Sequence, residues 1–257
     1  MLPIVYDLTL FGVHRPIGGY GVCVALGVFL TCALVARVAH RLRTDVGATI
    51  ATLGYTMMAG FVGAALMFVL VEWARSGDPM QGIRSGGGLV FYGAVPGAAL
   101  ASYVSARAFA LPYVRILDLS VPAIAMGHAI GRIGCLLGGC CFGAEWHGPL
   151  AITYTDPMAP ASHPSVPRHP TPIYEASGLV LLALVFALVP AKRIGTGERI
   201  LAYGVLYAIL RFLVETTRGD LIRGVFGALS TSQMTSIALF VVCGAALYVR
   251  RTRREPA

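Results

Sequence analysis

The sequence predicts an all-α, polytopic membrane protein with about seven transmembrane helices, its N-terminus outside and its C-terminus inside. Three observations predict it. Apolar residues make up 56% of the 257 positions and charged residues only 12%, where a soluble domain carries about a quarter charged residues. Apolar stretches approaching the roughly 20 residues needed to cross a bilayer recur along the whole chain. The connectors between them alternate between rich and poor in basic residues, which sets orientation. Met1 to Arg15 lacks a basic leader and a small-residue cleavage site, so the first span is expected to remain in the protein instead of being removed as a signal peptide.

The expected spans centre on residues 18–36, 48–71, 86–106, 119–139, 173–189, 200–217 and 232–249. One set of connectors holds Arg37, Arg41, Arg43, Arg107, Arg115, Lys192, Arg193, Arg199, Arg250, Arg251, Arg253 and Arg254, twelve of the 20 Lys and Arg residues. The other holds Arg15, Arg75, Arg84, Arg168, Arg218 and Arg223. The richer set belongs in the cytoplasm by the positive-inside rule. The net charge of +8 therefore reads as topology and attraction to anionic membrane lipid, and no nucleic-acid partner is expected. The longest outer connector, residues 143–172, carries Pro149, Pro157, Pro160, Pro164, Pro167, Pro170 and Pro172. It is too polar to cross and too proline-rich for a long helix, which predicts a cap on the outer face. No linker argues for a second domain, so residues 1–257 read as one integral-membrane domain.

Two basic residues, Arg132 and Arg211, remain inside spans. A guanidinium at the centre of a membrane helix costs about 3 kcal/mol on insertion scales, so it must face a partner, an anionic ligand or a wet cavity. His128, Arg132 and Cys135 recur at spacings of four and three, which puts them on one helical face. Arg211, Glu215 and Arg218 form a second such stripe. It suits either a phosphate held by arginines and tuned by the carboxylate, or a charge network tying span six to span four. Gly131-Arg132-Ile133-Gly134-Cys135 is followed by Gly138-Gly139-Cys140-Cys141-Phe142-Gly143. The gaps between these cysteines, with His128 and His147 nearby, are not the paired spacings of zinc sites, so no metal is expected. A nucleophile, a disulfide at the outer face and simple packing all stay open for them, while Cys23, Cys32 and Cys243 read as packing. The glycines from Gly86 to Gly93 allow close approach of a neighbouring helix or a lipid headgroup, and Tyr92 fits an interfacial tyrosine as well as a chemical role. His169-Pro170-Thr171-Pro172-Ile173-Tyr174-Glu175 starts the fifth span, with Glu175 favourable near the positive helix end.

Taken in order, Tyr20-Gly21, the Gly86 to Gly93 segment, Gly-Arg-Ile-Gly-Cys with Gly-Cys-Cys-Phe-Gly, the His169 to Glu175 motif and Arg-x₃-Glu-x₂-Arg-x-Asp resemble the prolipoprotein diacylglyceryl transferase family over nearly the whole chain. The resemblance implies a seven-span enzyme of the bacterial inner membrane. Such an enzyme moves the diacylglyceryl group of phosphatidylglycerol onto the lipobox cysteine thiol in the signal peptide of a prolipoprotein, releasing glycerol phosphate. It implies no cofactor and no metal.

Arg132 corresponds to the glycine-flanked arginine of the family signature, and Arg211 and Glu215 to the arginine and glutamate of the later motif. Tyr20 matches a tyrosine before a glycine in the first span, and Gly143 the glycine that closes the signature. The chain departs from many members at Tyr92, where some carry histidine, at Cys135, Gly138 and Cys140, where asparagines and a glutamate are common, and at Pro172, which replaces a glutamine. It is similar in this to a cysteine-containing branch of the family. The expected catalytic residues are Arg132 and Arg211 on the phosphate and Glu215 orienting them, with Tyr92, His128 and His169 as candidate proton acceptors. Tyr20, Gly86, Gly87, Gly93, Gly143, Tyr174 and Arg218 are expected to bind substrate. Three alternatives stand beside this reading: a paralogue with another acceptor, a non-catalytic lipid-binding relative, and a transporter of anionic solutes.

Overall fold

The computed structural model describes residues 4–10, 13–78, 80–84, 88, 90–157, 159–162, 164–190, 194–219, 225–226 and 229–253. After an antiparallel hairpin of β1 (Ile4–Leu10) and β2 (Val13–Gly18), the chain runs through α1 (Gly19–Arg41), α2 (Val46–Ser76), α3 (Gln81–Arg84), α4 (Phe91–Ala108) and α5 (Tyr113–Leu137). It continues with α6 (Thr171–Leu188), α7 (Glu198–Glu215) and α8 (Thr231–Thr252). Two-residue strands pair in the connectors, β3 (Ile152–Thr153) with β4 (Pro167–Arg168) and β5 (Val225–Phe226) with β6 (Leu229–Ser230). The hairpin lies before the first expected span at 18–36, where no strand is expected.

Each long helix overlaps one expected span. Among the described residues, α1, α2, α5, α6 and α8 are long and apolar enough to cross a membrane. The other two are 18 residues each. Helix α7 is less apolar because Glu198, Arg199, Arg211 and Glu215 lie on it, and α4 is rich in glycine, alanine and serine.

Residues 32–116 form one compact unit, and residues 1–31 with 117–257 form the other. In the first, Gly93 and Gly97 of α4 press on α2 so closely that a β-carbon at Gly97 would lie 2.5 Å from the Ala59 carbonyl oxygen. Such small-residue contacts let helices associate by van der Waals packing where lipid offers no hydrophobic gain. Asp45 caps α2 by accepting from the Ala48 amide at 3.0 Å, and Gly77 ends it in the left-handed conformation, φ 73°.

In the second unit α5, α6 and α7 share a core of Val121, Ala125, Leu182, Ala183, Phe186 and Tyr203. Polar side chains lock the helix ends across this core. Asp118 of α5 accepts from the Gly197 and Ile200 amides and so satisfies the first turn of α7. Arg199, buried at the start of α7, donates to the Phe186 and Val189 carbonyls at the end of α6. Its sequence position in a basic connector suggested only topology; its contacts make it a cap. Ser230 and Gln233 form a reciprocal capping box at the start of α8. In the proline-rich connector Tyr154, Ala159 and Ala161 are buried, with Leu136, Phe142 and Ile152 packed on them, and no long helix forms among its described residues.

Candidate active site

The α5–α6–α7 core sets three helix faces toward one carboxylate. Glu175, in the second turn of α6, is 1% exposed. Arg132 of α5 places Nη2 3.0 Å from Glu175 Oε1, and Arg211 of α7 places Nη1 3.7 Å from Oε2. Tyr207, one turn before Arg211, donates its hydroxyl to Oε1 at 3.2 Å. His128, one turn before Arg132, holds Nε2 3.9 Å from the same oxygen and its ring 5.2 Å from that of Tyr207.

A second carboxylate steadies the far side. Arg211 Nη2 lies 2.6 Å from Glu215 Oε2 and donates to Ser232 Oγ at 3.0 Å. Ser230 donates to Glu215 Oε1 at 2.8 Å, and Arg218 Nε stands 3.8 Å from Oε2. Three guanidinium groups therefore surround two buried carboxylates. Within this cluster two guanidinium nitrogens, Arg132 Nε and Arg211 Nη1, are buried without a hydrogen-bond partner, as are Arg168 Nε and Arg199 Nε outside it. Unsatisfied charged donors are costly in a water-poor interior, and a surplus cation beside them favours an anion.

Arg218 is also tied to the cap. Its backbone bridges to Gly143, whose missing β-carbon leaves room for the His169 and Thr217 backbone. The Gly143 amide donates to the His169 carbonyl at 3.0 Å and the Ala144 amide to the Thr217 carbonyl at 2.9 Å. The His169 ring stacks on Trp146 at 4.5 Å and reaches the Tyr174 hydroxyl at 3.3 Å. His169 and Tyr174 thus pair with each other at the entry to α6, whereas His128 adjoins the carboxylate between the arginines.

Beyond Leu137 the chain turns back sharply, with Gly139 at φ 64° and Cys141 at φ 59°. This turn draws the sulfurs of Cys135, Cys140 and Cys141 within 4.8 Å of one another. Arg132 Nη1 is 3.9 Å from Cys141 Sγ, and Thr171 donates to the Cys141 carbonyl at 2.5 Å. Hydrogen bonding from the Cys135 and Cys140 thiols, followed by the Arg218 charge, holds the Cys141 thiol below its ordinary range. Tyr154, whose ring lies against Gly139, is pushed up to about 12 by burial and then by the charge of Cys140.

The remaining expected residues lie on other elements, and Tyr20 is within electrostatic reach of Arg132 and the three cysteines. Tyr20 is 49% exposed on α1, its backbone beside Gly134 and its β-carbon beside Gly138. Tyr92 and Gly93 lie on α4 in the other unit, Gly93 in the contact with α2, and Gly86 and Gly87 lie outside the described residues. Sequence reasoning assigned Glu175 a local role at a helix start and did not single out Tyr207, Ser230 or Ser232. The signal for Glu175 was present, since an acid inside an apolar span needs a cationic partner as much as an arginine needs an anionic one.

The chain matches the family described as prolipoprotein diacylglyceryl transferase over residues 8–250. It is 30% identical to the phosphatidylglycerol–prolipoprotein diacylglyceryl transferase of Clostridium tetani across 99% of this chain and 100% of that protein. It is 32% identical to the protein of that name from Finegoldia magna, covering 94% and 93% of the two chains. It is 36% identical to phosphatidylglycerol–prolipoprotein diacylglyceryl transferase 2 of Clostridium perfringens over 72% of each.

Proposed function

Since the chain belongs to the prolipoprotein diacylglyceryl transferase family, we propose that it transfers the diacylglyceryl group of phosphatidylglycerol to the lipobox cysteine thiol of prolipoproteins. It does so in the bacterial inner membrane, with the N-terminus and the 143–172 cap on the outer face. The observation that carries the assignment to this site is the pair of arginines, half-buried Arg132 on α5 and buried Arg211 on α7, joined by Glu175, each with a buried nitrogen lacking a hydrogen-bond partner. A phosphate diester is the anion such a pair suits, because two guanidinium forks offer directed donors to its oxygens. Family membership sets the anionic-solute transporter aside.

In the reaction the thiol loses its proton, the sulfur bonds to the glyceryl carbon, and the bond from that carbon to the phosphate oxygen breaks. Glycerol phosphate leaves with the bonding electrons. Arg132 and Arg211 stabilise the negative charge that gathers on the departing phosphate, an effect strongest where water is excluded. Glu175 keeps the two cations together before substrate enters, and Glu215 with Ser232 holds the Arg211 fork. Neutralising the arginines in advance lowers the cost of burying them, while the spare donors remain for the ligand.

Purified protein incubated with phosphatidylglycerol labelled in its acyl chains and a lipobox peptide should yield a thioether-linked peptide and glycerol phosphate. Absence of both products, under conditions in which the Clostridium tetani relative yields them, would overturn the assignment.

A further inference from the structure

The transfer needs a thiolate, and an ordinary cysteine thiol, with a pKa of roughly 8.5, is mostly protonated near neutral pH. Beside Arg132 lies a group of side chains that the phosphate clamp does not use. We propose that Cys135, Cys140 and Cys141 form a three-thiolate site for a zinc ion, whose fourth position takes the lipobox cysteine as its thiolate next to the arginine-held phosphate. The inference rests on the transferase reading above and names the group that activates its acceptor.

Geometry carries the site. Tetrahedral zinc with bonds of about 2.3 Å sets its thiolates about 3.8 Å apart. The three sulfurs already lie within 4.8 Å of one another, so small side-chain rotations close them on one ion. Their spacing in sequence gave no sign of this. The backbone supplies it, because the turn places Cys141 at φ 59°, a conformation that costs a residue with a β-carbon on the order of 1–3 kcal/mol and persists only where its surroundings impose it. Two bonds impose it here, from the Cys140 amide to the Cys135 carbonyl at 3.1 Å and from Thr171 Oγ1 to the Cys141 carbonyl. The turn is therefore fixed from both α5 and α6.

Ligand chemistry and charge point the same way. Three thiolates select a thiophilic cation over magnesium or calcium. Three protein ligands with a fourth position left open is the arrangement of catalytic zinc, whereas structural zinc uses four. Cys135 is buried and Cys140 and Cys141 are half-buried, so two of the three ligands keep partial exposure. Zinc with three thiolates carries a net charge of −1, and Arg132, 3.9 Å from Cys141 Sγ, supplies the counter-charge. One guanidinium thereby touches both halves of the reaction, the ligand sulfur through Nη1 and the clamp carboxylate through Nη2.

The chemistry balances without a further reactant. A thiol that coordinates zinc gives up its proton to water, since metal binding deprotonates it outright. The bound sulfur then forms the bond to the glyceryl carbon while the carbon–oxygen bond to phosphate breaks. The thioether product, a poorer ligand than thiolate, leaves the ion free for the next thiol. This assignment gives the proton step to the cysteine turn in place of Tyr92, His128 or His169.

The test uses the full-length protein in detergent with phosphatidylglycerol, purified with its thiols protected. Metal analysis should find about one zinc per chain, lost in Cys135→Ser and Cys140→Ser and kept in Cys243→Ser. Zinc-edge X-ray absorption should show three sulfur neighbours and one lighter atom, with a fourth sulfur replacing the lighter atom when lipobox peptide is added. Stripping the metal from wild-type protein should slow transfer by at least about 100-fold, in the range for loss of a positioned proton acceptor, and zinc should restore it. Phosphatidylglycerol binding should be unchanged throughout, and the strip-and-restore arm does not depend on any variant folding. Full-rate transfer by metal-free protein, or a disulfide among the three cysteines of the active enzyme, would overturn the zinc inference and leave the transferase reading intact. Zinc-loaded wild-type protein that makes no thioether at all would overturn both.

Discussion

The arginine clamp and the cysteine turn meet on α5 through Arg132 and Cys135 yet differ in how the sequence encodes them. Arg132 and Arg211 announce themselves, because a charge in an apolar span is expensive and demands a partner. Cys135, Cys140 and Cys141 carry no formal charge and share no familiar spacing, and their convergence depends on a left-handed turn that composition does not reveal. The clamp is written in energetics and the turn in backbone geometry. Chemistry that relies on uncharged groups brought together by a turn is therefore easy to miss, even when it lies one helical turn from chemistry that is easy to find.

The largest effects should come from the clamp. Arg132→Ala and Arg211→Ala are each expected to lower the rate of thioether formation about 1,000-fold, the upper range for removing a preorganised donor, with the protein still inserted in membranes. Wild-type rates in either variant would remove that arginine from the phosphate. Glu175→Gln comes next. It leaves Arg132 and Arg211 facing each other without their shared carboxylate, which should cost about 3–5 kcal/mol of stability by thermal unfolding in detergent. The surviving folded protein should transfer about 100-fold more slowly as the forks lose alignment. An unchanged melting temperature would show that the carboxylate does not bind the helices together.

Smaller effects separate burial from function. Arg199 is as buried as Arg211, but its partners are the last carbonyls of α6. Arg199→Ala should destabilise the protein by about 1.5–3 kcal/mol, the range for hydrogen bonds to a charged group, without changing kcat/KM of the folded fraction. A selective loss of kcat/KM would break the distinction drawn between the two arginines. Ser230→Ala should be the mildest, at about 1 kcal/mol for a lost helix cap, with a slight loss of activity through Glu215.

Much of the fold was legible because apolar runs and basic connectors carry it. The seven expected spans each meet a long helix, but their ends shift where polar residues belong to the helix. Helix α5 begins at Tyr113, before the expected start at 119, since Arg115 and Asp118 look like connector residues and yet lie on the helix, where Asp118 caps α7. Helix α2 runs past 71 through Glu72 and Arg75 until Gly77 stops it. At the site, helical spacing placed His128 with Arg132 and Arg211 with Glu215 and Arg218. Only tertiary packing could bring Glu175 between the two arginines or set Ser232 against Arg211. Glu215, expected to orient both arginines, contacts Arg211 and Arg218, while Glu175 is the carboxylate that joins Arg132 to Arg211.

The central claim is that Arg132 and Arg211 hold a single phosphate. A cycle of Arg132→Lys, Arg211→Lys and the double variant, measured as kcat/KM for phosphatidylglycerol, tests it most directly, because lysine keeps the charge and removes the fork. Groups that act as a unit lose most of their joint effect with the first substitution. The double variant is therefore expected to be little worse than the weaker single variant; a loss equal to the product of the two single losses would mean that the arginines act separately.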